Sequence, residues 1–246
     1  MPLSRFDSYV RSVVLKRDKV PSFEEYPFNI PAIRHLDSLD MHPSVTFVVG
    51  ENGTGKSTLL EAIAVAAGYN AEGGSRNFLF ATRETHTNLN EYIRLVRGVR
   101  RPKDGFFLRA ESFYNATTYL ESLPLAPFQS YGGISLHLRS HGEAFMALLT
   151  ERFGGNGLYI LDEPEAALSP TRQMAVLPII QDLVKQGSQF IIATHSPIIM
   201  AYPDALIYAL TPDGLSEIAY RETEHYRVAR NFLLRTDSVV GELLGE

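Results

Sequence analysis

The chain has 246 residues, 45% of them hydrophobic, and carries 23 Lys plus Arg against 28 Asp plus Glu, a formal net charge of −5. That length and apolar share suffice for one two-lobed α/β unit with a good core and leave no room for a second catalytic domain. The absence of cysteine excludes disulfides and thiolate metal sites, and the negative balance argues against general affinity for polyanions.

Strands are predicted over residues 10–15 and 45–49. After the second, Gly50 to Thr58 fits the pattern G-x-x-x-x-G-K-[ST] and leads into a helix over 56–67 that Gly68 ends. Glycines allow successive backbone N–H groups to face phosphate oxygens, and the helix start adds positive potential. Glu51, Asn52, Gly53, Thr54, Gly55, Lys56, Ser57 and Thr58 are therefore expected to cradle a nucleoside triphosphate. Lys56 reaches the β- and γ-phosphates, and Ser57 can ligate magnesium. Further along, a strand is read over 77–80, a helix over 89–97 with Leu89, Tyr92, Ile93 and Val96 on one face, and a strand over 106–110.

Ser140 opens a helix read over 143–153. The apolar run 158–161 is too short for a helix and delivers Asp162 and Glu163 at the C-terminal end of a strand, where open α/β sheets place ligands. Asp162 suits a magnesium ion, and Glu163 can accept a proton from the water that attacks the γ-phosphate. Ser169 and Pro170 read as N-cap and first residue of a helix over 171–185 that Gly187 stops. The strand 189–194 then brings His195 to the same sheet end, facing the γ-phosphate beside Glu163. Strands over 205–210 and 215–219 and a helical tail from Glu224 complete the chain.

Together these pieces resemble an ABC-type P-loop ATPase, closer to the stand-alone SMC/RecF-like branch of predicted AAA-family ATPases than to transporter subunits. The resemblance rests on the phosphate loop from Asn52 to Ser57, Leu161-Asp162-Glu163-Pro164-Glu165, Ala166-Ala167-Leu168-Ser169 as a D-loop, and Thr194-His195-Ser196 around a switch histidine. It implies one ATPase domain over 1–246, an α/β P-loop NTPase with a three-layer core (about 1–68 and 154–246) and an inserted, mainly helical lobe (about 69–153). It also implies that ATP and Mg2+ are bound and ATP is hydrolysed, with Glu163, His195 and Lys56 catalytic and Ser57 and Asp162 on the metal. Ser140-His141-Gly142-Glu143-Ala144, 22 residues upstream of Asp162, is similar to the family signature, with His141 in place of the first glycine. In such ATPases the signature closes over the neighbouring subunit's γ-phosphate, so Ser140, Gly142 and Glu143 join the nucleotide site in trans and a head-to-tail homodimer with ATP is implied.

Two positions depart from the family pattern. The glutamine expected after the 77–80 strand is absent, leaving Thr82 or Arg83 to substitute, and Tyr26 and Phe28 are only loosely placed to stack on adenine. Ser140 follows Gly55 by 85 positions without heptads, so the chain is a minimal head that acts through a partner or its own surface. Arg94, Arg97, Arg100, Arg101, Lys103 and Arg109 put six cations in sixteen residues, either a solvated face or a contact for DNA or an acidic partner. With no apolar run near the roughly 18 residues of a membrane span and no apolar signal core at Met1 to Asp7, a soluble cytoplasmic protein without membrane insertion is expected. The function classes are an ATPase of DNA transactions, repair or genome defence; the ATP-binding subunit of a membrane transporter; and a nucleotide-dependent assembly or sensor module.

Overall fold

The computed structural model describes residues 2–75, 87–109 and 140–245. The chain begins with β1 (Ser12–Leu15), α1 (Pro31–Arg34), β2 (Ser38–Asp40), β3 (Val45–Gly50) and α2 (Lys56–Ala67). It continues with α3 (Leu89–Tyr92), β4 (Ile93–Val96), β5 (Asp104–Arg109) and α4 (His141–Ala147), which runs on as a π-helical turn over Leu148–Arg152. The remainder comprises β6 (Gly157–Asp162), α5 (Pro170–Lys185), β7 (Gln189–Ala193), β8 (Leu206–Thr211), β9 (Gly214–Glu217), α6 (Glu224–Leu234) and α7 (Thr236–Leu244).

A six-stranded sheet runs in the order β5-β6-β7-β3-β8-β9, parallel except for β9 at its edge. Its inner strands are apolar on both faces, as parallel strands covered by helices must be. In β3, Val45, Phe47 and Val49 join one core with Phe145 of α4 and Val176 and Ile180 of α5. Val48 joins a second core with Leu59, Leu60 and Ile63 of α2. Alternation of side chains along β6 and β7 divides Tyr159, Leu161, Phe190 and Ile192 from Ile160, Ile191 and Ala193 in the same way. The result is a three-layer α/β architecture, a mostly parallel sheet with helices on both faces and a glycine-rich loop between β3 and α2.

Three sequence expectations need correction. First, β1 lies outside the main sheet, in a three-stranded antiparallel sheet β2-β1-β4 whose Val13 packs into the α2 core. Second, the helix expected over 89–97 stops at Tyr92. Ile93-Arg94-Leu95-Val96 pairs instead with β1, in register from Ser12↔Val96 to Leu15↔Ile93. The segment also alternates with period two and ends on a β-branched residue, so an available strand edge overrides its helical pattern. Third, the stretch 69–153 contributes β4 to the small sheet and β5 to the large one, so the core is not confined to 1–68 and 154–246. The strand expected over 77–80, with Thr82 and Arg83, falls outside the described residues. On the side of β6 away from β7 the neighbouring strand is β5, which places Arg109 in register with Asp162.

Candidate nucleotide site

β3, β6 and β7 are neighbours in the sheet order β6-β7-β3, and all three deliver their next residues at one end of it. From β3 the chain turns through Gly50 to Gly55 into α2. Gly55 adopts φ +95°, and a Cβ there would lie 2.7 Å from Ile30 Cγ2, so this turn requires glycine twice over. Lys56, 4% exposed, folds its ammonium into the loop, where Nζ donates to the carbonyls of Gly50 (3.0 Å) and Glu51 (2.9 Å). Burial holds its pKa below the usual lysine value, with Glu163, Asp162 and Glu165 pulling the other way. Thr54 Oγ1 donates to Glu51 O at 2.8 Å and tightens the loop.

Ser57 Oγ donates to Asp162 Oδ1 at 3.1 Å, joining the first turn of α2 to the end of β6. Asp162 is 4% exposed, with Arg109 Nε at 3.9 Å. Among the described residues no cluster of three or more His, Cys, Asp or Glu side chains could hold a metal. The donor set nevertheless fits magnesium, which takes one or two protein oxygens and completes its shell with phosphate and water.

Glu163 follows in the left-handed region at φ 52°, ψ 53°, its N–H bonded to Ala193 O (2.9 Å). Its carboxylate lies 3.5 Å from His195 Nε2. Glu165 clamps the β7 exit: Oε2 accepts from Thr194 Oγ1 at 2.7 Å and Oε1 from the His195 amide. Sequence reasoning assigned Glu165 no role, although its place three residues beyond Asp162 was a usable signal. His195 Nδ1 lies 3.0 Å from Nε2 of His225 on α6, a residue that no motif flags. Glu51, Asn52, Glu163, His195 and His225 line a cavity of about 880 Å³ walled by α6.

The signature-like residues sit elsewhere. Ser140 caps α4 in a capping box: its Oγ accepts from Glu143 N (3.4 Å) and donates to Glu143 Oε2 (2.8 Å), while Ser140 N donates to the same carboxylate (2.9 Å). Gly142 is buried so tightly that a Cβ would lie 2.7 Å from Ala167 O and 2.3 Å from Arg172 Nη1. The structure thus brings Ser140, Gly142 and Glu143 against the segment after Glu163 and the start of α5, with Arg172 Nη2 3.5 Å from Glu143.

Of the two aromatics considered for adenine, Phe28 is buried against Tyr92 at a 4.9 Å centroid distance. Tyr26 is 63% exposed, with its hydroxyl 3.4 Å from Thr58 Oγ1. The basic run also divides. Arg94, Arg97, Arg100, Arg101 and Lys103 are exposed. Arg109 instead turns inward to Glu61 Oε2 at 2.7 Å and leaves the surface cluster.

A family model described as "AAA domain, putative AbiEii toxin, Type IV TA system" matches residues 135–201, and a second AAA domain model matches residues 28–122. The chain is 28% identical over 180 residues to the hemin import ATP-binding protein HmuV of Idiomarina loihiensis, covering 64% of this chain and 67% of that protein. It is 25% identical over 215 residues to the macrolide export ATP-binding/permease protein MacB of Campylobacter jejuni, covering 77% of this chain and 31% of the relative. A solved SMC head bound to the C-terminal winged-helix domain of ScpA is 14% identical, covering 74% of this chain and 92% of that one, with a TM-score of 0.46. Among the described residues no helix is long and apolar enough to cross a membrane.

Proposed function

Since this chain is an ABC-type P-loop ATPase, we propose that it works as an ATP-gated head-to-tail dimer in which each subunit hydrolyses ATP·Mg2+ against its neighbour's signature residues. The observation that carries this reading is the convergence of Lys56, Ser57, Asp162, Glu163 and His195 at one end of three adjacent strands.

In this reading the loop amides and Lys56 bind the β- and γ-phosphates. Ser57 and Asp162 would hold magnesium, which neutralises the β- and γ-phosphate oxygens when bound. A water attacks the γ-phosphorus, its proton passes to Glu163, and the bond to the β–γ bridging oxygen breaks to leave ADP and phosphate. His195 presents an imidazole N–H to the γ-phosphate, and Tyr26 offers a ring for the base. Ser140, Gly142 and Glu143 act on the partner's nucleotide. Their attachment to the segment after Glu163 supports this, because closure on one nucleotide is then felt at the other carboxylate. Loss of the γ-phosphate removes the charge that joins the subunits, and the dimer opens by its differential affinity for the two states.

For the biological role we favour DNA transactions, repair or genome defence with a partner, in the cytoplasm. The family description, which names a "putative AbiEii toxin, Type IV TA system", supports the genome-defence part, and Arg94, Arg100, Arg101 and Lys103 supply an exposed basic face for a polyanion. The second reading, an ATP-binding subunit of a transporter, is favoured by relatives named as import and export ATP-binding proteins. Glu163→Gln is expected to abolish turnover while light scattering shows an ATP-stabilised dimer, and a variant that stays monomeric at saturating ATP would refute the scheme. Turnover that rises with DNA, together with binding that weakens with salt and on Arg100→Glu/Arg101→Glu, supports the DNA role. Co-purification with a polytopic membrane protein decides for the transporter.

A further inference from the structure

The imidazole of His195 is useful to a γ-phosphate only if Nε2 carries the proton. The loop after β7 does not itself decide this. Glu165 anchors the backbone N–H of His195 and the Thr194 hydroxyl, leaving ring rotation and tautomer free. The ring has one hydrogen bond, from Nδ1 to His225 Nε2 at 3.0 Å, while His195 Nε2 and His225 Nδ1 are buried without a hydrogen-bond partner among the described residues.

With both rings neutral, two proton arrangements are possible across that contact. If His195 Nδ1–H donated, the bare lone pair of His195 Nε2 would face the Glu163 carboxylate 3.5 Å away, a repulsive arrangement with no compensating donor. If His225 Nε2–H donates, His195 is protonated on Nε2 and directs that N–H toward Glu163 and the cavity. The second arrangement is electrostatically consistent.

We propose that His225, on the C-terminal helix α6, is a positioning residue for ATP hydrolysis, fixing the ring and tautomer of His195 so that Nε2–H faces the γ-phosphate. The inference rests on the nucleotide-site reading above and adds α6 to the hydrolytic machinery. α6 is built for the task at its first turn. Thr223, 1% exposed, caps it by accepting from Tyr226 N at 3.3 Å, and the Tyr220 hydroxyl donates to Pro197 O at 2.8 Å, tying the helix start to the His195 loop. Burial, followed by the charge of Lys56, pushes the His225 pKa below the ordinary histidine value, against Glu224 and Glu51. His225 is therefore neutral at neutral pH, as a single Nε2–H donor requires. A carboxylate orienting a catalytic histidine is the more familiar device; here a second imidazole supplies the orientation without adding negative charge beside a triphosphate.

The test uses the full chain. Long-range 1H–15N correlation spectra of the wild type are expected to show His195 protonated on Nε2 with an unprotonated Nδ1, and a His195 protonated on Nδ1 overturns the proposal. His225→Leu is expected to lower kcat about tenfold with KM changed less than about twofold, and His225→Gln, whose amide N–H can still donate, to keep at least about a third of wild-type kcat. A His225→Leu variant at wild-type kcat, or a His225→Gln variant no better than His225→Leu, overturns it as well. A wild-type chain that does not hydrolyse ATP would count against the proposed function instead, and the tautomer measurement, which needs no turnover, would still decide the role of His225.

Discussion

Replacing Glu163 by glycine separates backbone strain from chemistry. Glu163 lies at φ 52°, ψ 53°, where a side chain costs roughly 1–2 kcal/mol that glycine does not incur. Glycine gives back about 0.5–1 kcal/mol through the greater freedom of its unfolded chain, leaving a net gain of about 0–1.5 kcal/mol. The backbone bonds from Glu163 N to Ala193 O and from Ala166 N to Glu163 O survive the change. For a chain of this size Tm should therefore rise, by up to about 6 °C. Removing the carboxylate should at the same time lower kcat by about 10²–10⁴-fold, the usual worth of a general base. Scanning calorimetry without nucleotide and a phosphate-release assay read the two effects separately. A fall in Tm would refute the strain argument, and turnover within tenfold of wild type would refute the assignment of Glu163 as the base.

Three further outcomes follow from the same structure. Tyr159, fully buried, shares its one hydroxyl proton between Asp104 Oδ2 (2.9 Å) and Gly154 O (2.7 Å), so Tyr159→Phe should cost about 1–3 kcal/mol in urea unfolding; a cost near zero would contradict its structural role. Burial pulls the Asp104 pKa upward, but the hydrogen bond and charge of Arg152, the Tyr159 hydroxyl and the Gly105 N–H outweigh it and hold the value below the ordinary 3.8. Its folded-state pKa being depressed, Asp104 contributes stability in full above about pH 4 that is lost as pH falls through the folded value, so acid-induced unfolding should show a limb that Asp104→Asn flattens. In Gly142→Ala the Arg172 guanidinium can yield but the Ala167 carbonyl cannot, which should cost about 1–3 kcal/mol of stability and weaken ATP-dependent association in a Glu163→Gln background, measured by sedimentation.

What the sequence determined by itself was local. A strand, a glycine turn and a helix compressed into residues 45–67 carry their own geometry, so α2 could be bounded at Lys56 and Ala67 from the lysine after Gly55 and from Gly68, which ends it at φ +95°. The same holds for α5, set by Ser169 and Pro170, and for the short apolar run that becomes β6. Pairing between distant segments was not legible. Ile93 to Val96 alternates and also satisfies a helical face, and only the free edge of β1 chose the strand. Arg109 reads as one cation among six until β5 docks beside β6 and turns it toward Glu61 and Asp162. His225 carries no signal at all: a histidine in the first turn of an exposed helix acquires meaning only because Thr223 and Tyr220 fix that turn against the loop bearing His195. Contacts of this kind depend on how separate elements pack, which neither periodicity nor a motif records, and they form only when the whole chain closes.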